Sequence, residues 1–527
     1  MKNHKSLNAA RIALISAALL ATVGASKTMA QAAQTVTTSP FNFVPGDLLV
    51  SSSTYSGTAS TVTVGQSLPG GGTAIANGTF GPEGVFTNDT PDSSFGVTSP
   101  ITLSVVNPTT GADVQDVNVT SLLAAAGDNL DTSFSSKSEL ALNLTPDGSG
   151  VTFMAYAATP NQLDISNSNT PGVVDSGNSD AATPTYRVVA QLNANGTIET
   201  TDTNAYPGNN GRAAVLGSNG QYYTVGNAGN GGSGPSTAVG VTGVQNVTPG
   251  ANATTSSPNS VGSYSITQNG DAADKPAKDN NFRGETIFNN TLYVTKGSGS
   301  NGINTVYQVG NVGSLPTGSS NTISILPGFP TGLAKGSDPS HPFGLFFANA
   351  STLYVADEGD GVYGDVGTLA NAAAGLEKWS LVGNTWQLDY TLKGSLIGSS
   401  YTVDGSGPGG NYTTIADGLR NITGKVNADG TVTIYGVTST VDNYANEDAG
   451  ADPNQLVAIT DTLSDTTAAQ ASGEEYTTLE TAAYGQVLRG VSFTPQAVPE
   501  PSTTAMLILA LLGGAGFAWK RKNSLKA

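Results

Sequence analysis

Phe343-Gly344-Leu345-Phe346-Phe347-Ala348-Asn349-Ala350-Ser351-Thr352-Leu353-Tyr354-Val355 reads as a hairpin: an apolar run opening on a glycine, an Asn-containing turn, and a second run of strand-favouring residues. The same grammar recurs from Phe282 to Val294, where Arg283-Gly284 opens the first run and Thr291-Leu292-Tyr293-Val294 closes the second. Related units start at Arg212 and Arg420 and near Glu139, and a last one, Arg489-Gly490-Val491-Ser492-Phe493, stops at Pro495. The anchors Glu139, Arg212, Arg283, Gly344, Arg420 and Arg489 stand 73, 71, 61, 76 and 69 residues apart. Each interval has room for four strands and long loops. Third and fourth strands are visible at Gly375 to Ser380 and Trp386 to Leu392, and another pair begins at Gln455-Leu456-Val457-Ala458-Ile459. Four-stranded units in series are β-propeller blades.

The last unit has no partners after it, while the chain begins in mid-blade at Asp47-Leu48-Leu49-Val50 and continues with Ile101 to Val106 and Val114 to Val119. Joining the two completes one blade and closes the ring, which removes the two free sheet edges of an open propeller. A β-sandwich explains neither the period nor the split blade, and a β-helix repeat is shorter. The expectation is an all-β propeller over residues 41–496 with six four-stranded blades; the long stretch from Ser56 to Ser99 leaves seven open. The segment Pro342 to Gly361, with Leu353-Tyr354-Val355-Ala356-Asp357, resembles the NHL repeat. That resemblance implies a six-bladed propeller that binds partners rather than catalyses.

The composition fits. The chain has 527 residues with 66 Gly, no Cys and two His, and charged residues make up 11% of it. Without cysteine there are no disulfides, thiolate catalysts, zinc fingers or iron–sulfur clusters. Between Gln31 and Val498 there are 13 basic and 38 acidic residues, a net −25. Such a body is repelled by nucleic acid and by anionic lipid, so no nucleic-acid partner is expected.

Both ends read as addresses. Lys2, Lys5 and Arg11 precede an apolar run from Ile12 to Ala25, and Ala30-Gln31-Ala32 offers a cleavage site, so residues 1–32 are a secretory signal for signal peptidase. At the other end, residues 497–527 contain Pro499-Glu500-Pro501, an apolar helix at about 503–519 and the basic cluster Lys520-Arg521-Lys522. This is a short membrane helix with a basic stop on the cytoplasmic side. The arrangement closely resembles the PEP-CTERM sorting signal of Gram-negative bacteria. The resemblance implies recognition of Pro499, Glu500 and Pro501 by an exosortase in the inner membrane. A precursor would sit transiently in that membrane with its body in the periplasm, then pass to the cell surface or an exopolysaccharide matrix.

Chemistry is sparse. His341 is the one histidine of the mature body, and no G-x-S-x-G elbow accompanies it. Its count excludes a multi-histidine metal site. Structural calcium remains open at Asp357, Glu358, Asp360 and Asp365, and then at Asp442, Glu447, Asp448 and Asp452, although neither cluster follows the EF-hand pattern. No cofactor is otherwise expected. Trp379 and Trp386 flank a hairpin and are read as packing before sugar stacking. Arg212, Arg283, Arg420 and Arg489 are four of the 13 basic residues of the body, and they fall at one equivalent position, the start of a blade's first strand. Two readings stay open: blade-to-blade struts, or a basic ring at the channel mouth that binds anions such as acidic polysaccharide. The expected function is a non-enzymatic surface or matrix propeller that binds polysaccharide or a surface protein. A carboxylate- or calcium-dependent enzyme acting on matrix sugars is the alternative.

Overall fold

The computed structural model describes residues 35–36, 40–57, 96–175, 183–228, 243–251, 253, 260–261, 264–268, 271–272, 280–297, 302–317, 321–335, 340–366, 371–405, 411–442 and 448–497. The signal segment, Glu447 and the C-terminal address, with Pro499, Glu500, Pro501, Lys520, Arg521 and Lys522, lie outside them.

Six sheets form a six-bladed propeller, and the strands of each blade step outwards from the axis. Blade 1 is Gln486–Phe493, Leu48–Thr54, Ile101–Val106 and Asp113–Asn118. Blade 2 is Asn143–Leu144, Gly150–Tyr156, Arg187–Asn193 and Ile198–Thr203, with Thr35–Val36 added outside. Blade 3 is Gly211–Leu216, Tyr222–Gly226, Val244–Val247 and Ser260–Val261. Blade 4 is Glu285–Phe288, Thr291–Lys296, Thr305–Val309 and Asn321–Ile325, to which Tyr264–Gln268 pairs in parallel. Blade 5 is Pro342–Asn349, Thr352–Asp357, Gly375–Val382 and Thr385–Leu392. Blade 6 is Tyr412–Val426, Thr431–Asp442, Gln455–Thr462 and Thr477–Thr481, with Ser400–Val403 along the start of its long first strand.

The ring closes as the split blade requires. Leu48 pairs with Phe493, Val50 with Val491 and Thr54 with Gln486, antiparallel along the whole of Leu48–Thr54. The outermost strand of this blade ends at Asn118 rather than Val119. There the Asn118 side chain accepts a hydrogen bond from the Ser121 N–H at 2.7 Å and caps the helix Val119–Ala125.

Inner strands such as Gly150–Tyr156 and Thr352–Asp357 are buried at every position because both faces of the blade are covered there, whereas outermost strands such as Asp113–Asn118 and Thr477–Thr481 are largely exposed. Successive side chains of a strand point to opposite faces. Leu353 and Val355 accordingly pack with Tyr293 and Val306 of blade 4, whereas Tyr354 and Ala356 pack with Leu419 and Ile422 of blade 6. The same holds all round: among the described residues one apolar cluster fills each gap between neighbouring blades, and two smaller clusters gather around Phe134 and Tyr156. Trp379 and Trp386 belong to the gap between blades 4 and 5, where Trp379 stacks on Phe329 at 4.0 Å.

The two ends of the ring differ. At one, the turn end, first and second strands are joined tightly, at 145–149, 217–221, 289–290, 350–351 and 427–430. At the other, the loop end, second and third strands are joined by 55–100, 157–186, 227–243, 297–304, 358–374 and 443–454. The chain leaves the ring at the turn end, where Gln496 donates its N–H to the Gly148 carbonyl at 2.8 Å.

Candidate functional site: the charged axis at the loop end

β-Bulges place the arginines. The register between first and second strands slips between Gly211 and Ala213 in blade 3, between Leu419 and Ile422 in blade 6, and at Ser51/Ser52 opposite Arg489 in blade 1. Arg212, Arg420 and Arg489 are thus unpaired extra residues, and a bulge re-aims its side chain out of the alternating pattern. Blade 5 slips likewise between Pro342 and Leu345 but carries Phe343-Gly344 there, so it supplies no cation. Arg283 stands just before its strand and donates its N–H to the Thr295 carbonyl at 2.8 Å. Glycine is required where neighbouring first strands meet: a Cβ on Gly344 would stand 2.6 Å from the Arg420 carbonyl oxygen, and one on Gly490 would collide with the Leu140 carbonyl.

All four arginines are buried, and each reaches beyond its own strand. Arg489 donates to the carbonyls of Ser136 (2.6 Å), Gly450 (3.0 Å) and Phe134 and to Ser53 Oγ, tying blades 1, 2 and 6. Arg420 pairs with Glu358 of the blade 5 loop at 3.0 Å and with Asp448 of its own blade. Arg283 shares Glu358 at 3.7 Å and donates across the axis to Ser138 Oγ. Arg212 donates to the Phe282 carbonyl of blade 4 at 2.7 Å and to Asn281 Oδ1. The struts among the two readings of these residues are therefore visible contacts.

The first-strand anchor of blade 2, Glu139, accepts from Thr132 Oγ1 (2.7 Å), the Ser133 N–H (3.0 Å), Asn210 Nδ2 (2.9 Å) and the Tyr156 hydroxyl. Half-exposed Lys137 joins the axis through Asp448 at 3.7 Å. Burial and the Arg420 charge pull the Arg489 guanidinium down to about 9, whereas Asp448 lies below its ordinary value because Arg420 and Lys137 outweigh its burial.

Beside the axis, the loop 358–374 packs on two further carboxylates. Asp357 Oδ2 accepts the His341 N–H at 2.6 Å and Oδ1 the Gly359 N–H at 2.9 Å; Asp417 Oδ2 accepts the Gly361 N–H at 2.9 Å and Oδ1 the Asn371 amide at 2.5 Å. Burial first of all raises Asp357 to about 6 and Asp417 to about 7. Asp360, which the sequence groups with Asp357 and Glu358 for calcium, accepts the Val362 N–H at 3.0 Å, while Glu358 faces the arginines. Among the described residues no three such side chains converge on one point. The hydrogen bond from His341 to Asp357 comes from its backbone N–H.

Sequence reasoning finds the arginines by their period but misses their partners. Glu358 and Asp448 sit in loops that share no repeat, and Arg187, fully buried on carbonyls of Ser166, Thr185 and Asn209, begins a third strand where no anchor points to it.

Residues 497–522 match the PEP-CTERM protein-sorting motif. The chain therefore carries an export and sorting signal of the kind processed by exosortase-type machinery, which implies a secreted or cell-surface protein. Among the described residues no helix is long and apolar enough to cross a membrane, and the expected helix at about 503–519 lies outside them. No curated protein matches the sequence. Among solved structures, the parainfluenza virus 5 hemagglutinin-neuraminidase is similar over 75% of this chain and 84% of its own, with 10% identity and a TM-score of 0.30. The N-terminal domain of Nup159 is similar over 86% and 98%, with 7% identity and a TM-score of 0.26. A PL25 polysaccharide lyase, an ulvan lyase, is similar over 83% and 98%, with 12% identity and a TM-score of 0.25. At these scores none of the three bears on activity.

Proposed function

We propose that the body is a non-enzymatic binding or structural propeller, delivered to the cell surface or the exopolysaccharide matrix after processing at Pro499-Glu500-Pro501, and that it engages its partner through the loop end. The observation that carries this reading is the opposition of the two ends. The chain runs into its sorting motif from the turn end, with Gln496 tied to Gly148, so the segment that holds a precursor at the inner membrane departs from the short turns. The long connections lie at the other end, free to meet a partner on the far side, and loops on a rigid scaffold are where binding residues concentrate.

Charge narrows the partner. Among the described residues seven basic side chains of the body, Arg187, Arg212, Arg283, Lys296, Lys378, Arg420 and Arg489, are buried together with 16 acidic ones, so few cations are left outside and the exposed charge stays predominantly acidic. A neutral polysaccharide or a basic surface protein suits that surface better than a polyanion does. Titration calorimetry of the processed protein against neutral and acidic bacterial polysaccharides tests this: binding to neutral polymers with weak salt dependence supports it. Tight binding to acidic polymers that salt abolishes contradicts it.

The enzyme reading keeps one specific support. Asp357 and Asp417 flank one loop at the loop end with raised proton affinities, the environment that general acids use. Release of reducing ends from a matrix polysaccharide, lost in Asp417→Asn, would favour it over simple binding.

A further inference from the structure

The axial cluster is not electrically balanced. Among the described residues, Arg212, Arg283, Arg420, Arg489 and Lys137 face Glu139, Glu358 and Asp448, with Asp417 acting on Arg420 from farther off. The imbalance is not spread evenly. Arg420 lies between two carboxylates, and Arg489 has three carbonyls and a hydroxyl. Arg212 has no carboxylate within ion-pair distance among the described residues. Its contacts are one amide oxygen and one carbonyl, both on the same Nη atom. Of the carboxylates that act on it, Glu358 is held by Arg420 and Glu139 is already filled by four neutral donors. Arg283 has only the longer share of Glu358, whose other oxygen Arg420 holds at 3.0 Å.

The hydrogen bonds left over point the same way. The Nε–H groups of Arg212 and Arg283 are both buried with no acceptor, though the two residues are 6% and 9% exposed. A buried donor without an acceptor and a buried cation without a counter-charge are each unfavourable; Arg212 carries both defects, and Arg283 carries the first with only a shared carboxylate. The two guanidinium groups also repel each other, and after burial this repulsion is the largest influence that holds Arg212 well below its ordinary value. One acceptor carrying one negative charge would satisfy both idle donors and reduce the surplus of positive charge. In a body at net −25, this surplus of cations draws an anion in rather than repelling it.

We propose that the axis binds a small monovalent anion between Arg212 and Arg283, which accepts their two idle Nε–H bonds. A halide and the carboxylate of an acidic sugar share the required chemistry. The site is distinct from the polymer-binding face proposed for the loops and stands or falls without it.

The experiment is thermal melting of the processed protein in rising sodium bromide, sodium chloride or sodium glucuronate, with ionic strength held constant by a bulky sulfonate. The proposal predicts a saturable rise in Tm of several degrees, as linkage requires when only the folded state binds. Response to both halides assigns an inorganic ion, and response to glucuronate alone assigns a sugar carboxylate. Arg212→Lys keeps the charge but loses the Nε–H, and the rise should shrink at least tenfold in anion affinity. Should that variant fail to fold, bromide soaked into crystals of the native protein decides: anomalous density between Arg212 and Arg283 supports the site. A Tm that is the same in every salt at equal ionic strength, with no bromide at the axis, overturns it.

Discussion

Two buried charge clusters hold this propeller together on different terms. Between blades 5 and 6, Lys378 and Asp461 are both fully buried and pair at 2.7 Å. The pair itself is fully bonded: Lys378 also donates to the Thr462 carbonyl at 2.8 Å and to the Tyr390 hydroxyl at 3.0 Å, and Asp461 accepts from the hydroxyls of Tyr390 and Tyr354. Burial raises the neighbouring Glu474 to about 7, which keeps it from adding a full second negative charge. On the axis, among the described residues, five cations outnumber the carboxylates Glu139, Glu358, Asp448 and Asp417, and two guanidinium nitrogens have no acceptor. A balanced, saturated cluster is architecture. An unbalanced one of similar burial retains capacity for something that arrives from outside.

That contrast can be broken by mutation. The largest effect is expected at the balanced pair: Asp461→Asn leaves Lys378 buried without its counter-charge and should cost about 3–5 kcal/mol in urea denaturation. The double change Lys378→Met, Asp461→Leu should recover most of that, because removing both charges removes the burden along with the bond.

A smaller effect, with a pH signature, is expected at Asp131. Its Oδ1 accepts from the Thr120 hydroxyl at 2.9 Å, its Oδ2 has no partner, and burial raises it from 3.8 to about 7. A raised folded-state value means that its contribution is complete below about 3.8 and is lost as pH rises through about 7. Native stability should therefore fall between pH 4 and pH 7, and Asp131→Asn should flatten the profile by an amount on the order of 2–4 kcal/mol across that window. Parallel profiles for the two proteins would contradict the assignment.

On the axis the sign of the comparison reverses. Arg212→Gln removes a surplus cation, so without added halide it should cost no more than about 1 kcal/mol, the worth of its hydrogen bonds to Phe282 and Asn281. A loss as large as that of Asp461→Asn would mean that the axis is a balanced strut after all. The smallest effect belongs to the turn end, where Asp147 holds the Thr145 hydroxyl and the Ser149 N–H across an exposed turn; Asp147→Ala should cost about 0.5–1 kcal/mol.

How much of the molecule is legible in its sequence follows from the same physics. The period is written in strands because each first and second strand must satisfy two neighbours, so Leu-Tyr-Val runs recur, and the unpaired unit at Val491 announces its partner at Val50. The arginines are legible as a repeated position. Their bulges are not, since register slips depend on which carbonyl the neighbouring blade presents, and a glycine such as Gly490 or Gly344 signals only that something comes close. Their anionic partners are not either. Chain proximity groups Glu358 with Asp357 and Asp360 as a calcium candidate, yet in the fold it turns to Arg420 while Asp357 and Asp360 hold backbone N–H groups.

The central functional claim is that the loop end meets the partner and the turn end does not. The chain has no cysteine, so one introduced at either end is the sole thiol for labelling. Gly364, exposed in the 358–374 loop with nothing near its Cβ position, and Ala350, exposed in the 350–351 turn, mark the two ends. Each single-cysteine protein would be coupled to a bulky polyethylene glycol maleimide and its binding to extracellular polymer measured by calorimetry. The account predicts that the label on Gly364→Cys weakens binding at least tenfold while the label on Ala350→Cys leaves it unchanged. Equal binding by both, or loss only with Ala350→Cys, would contradict it.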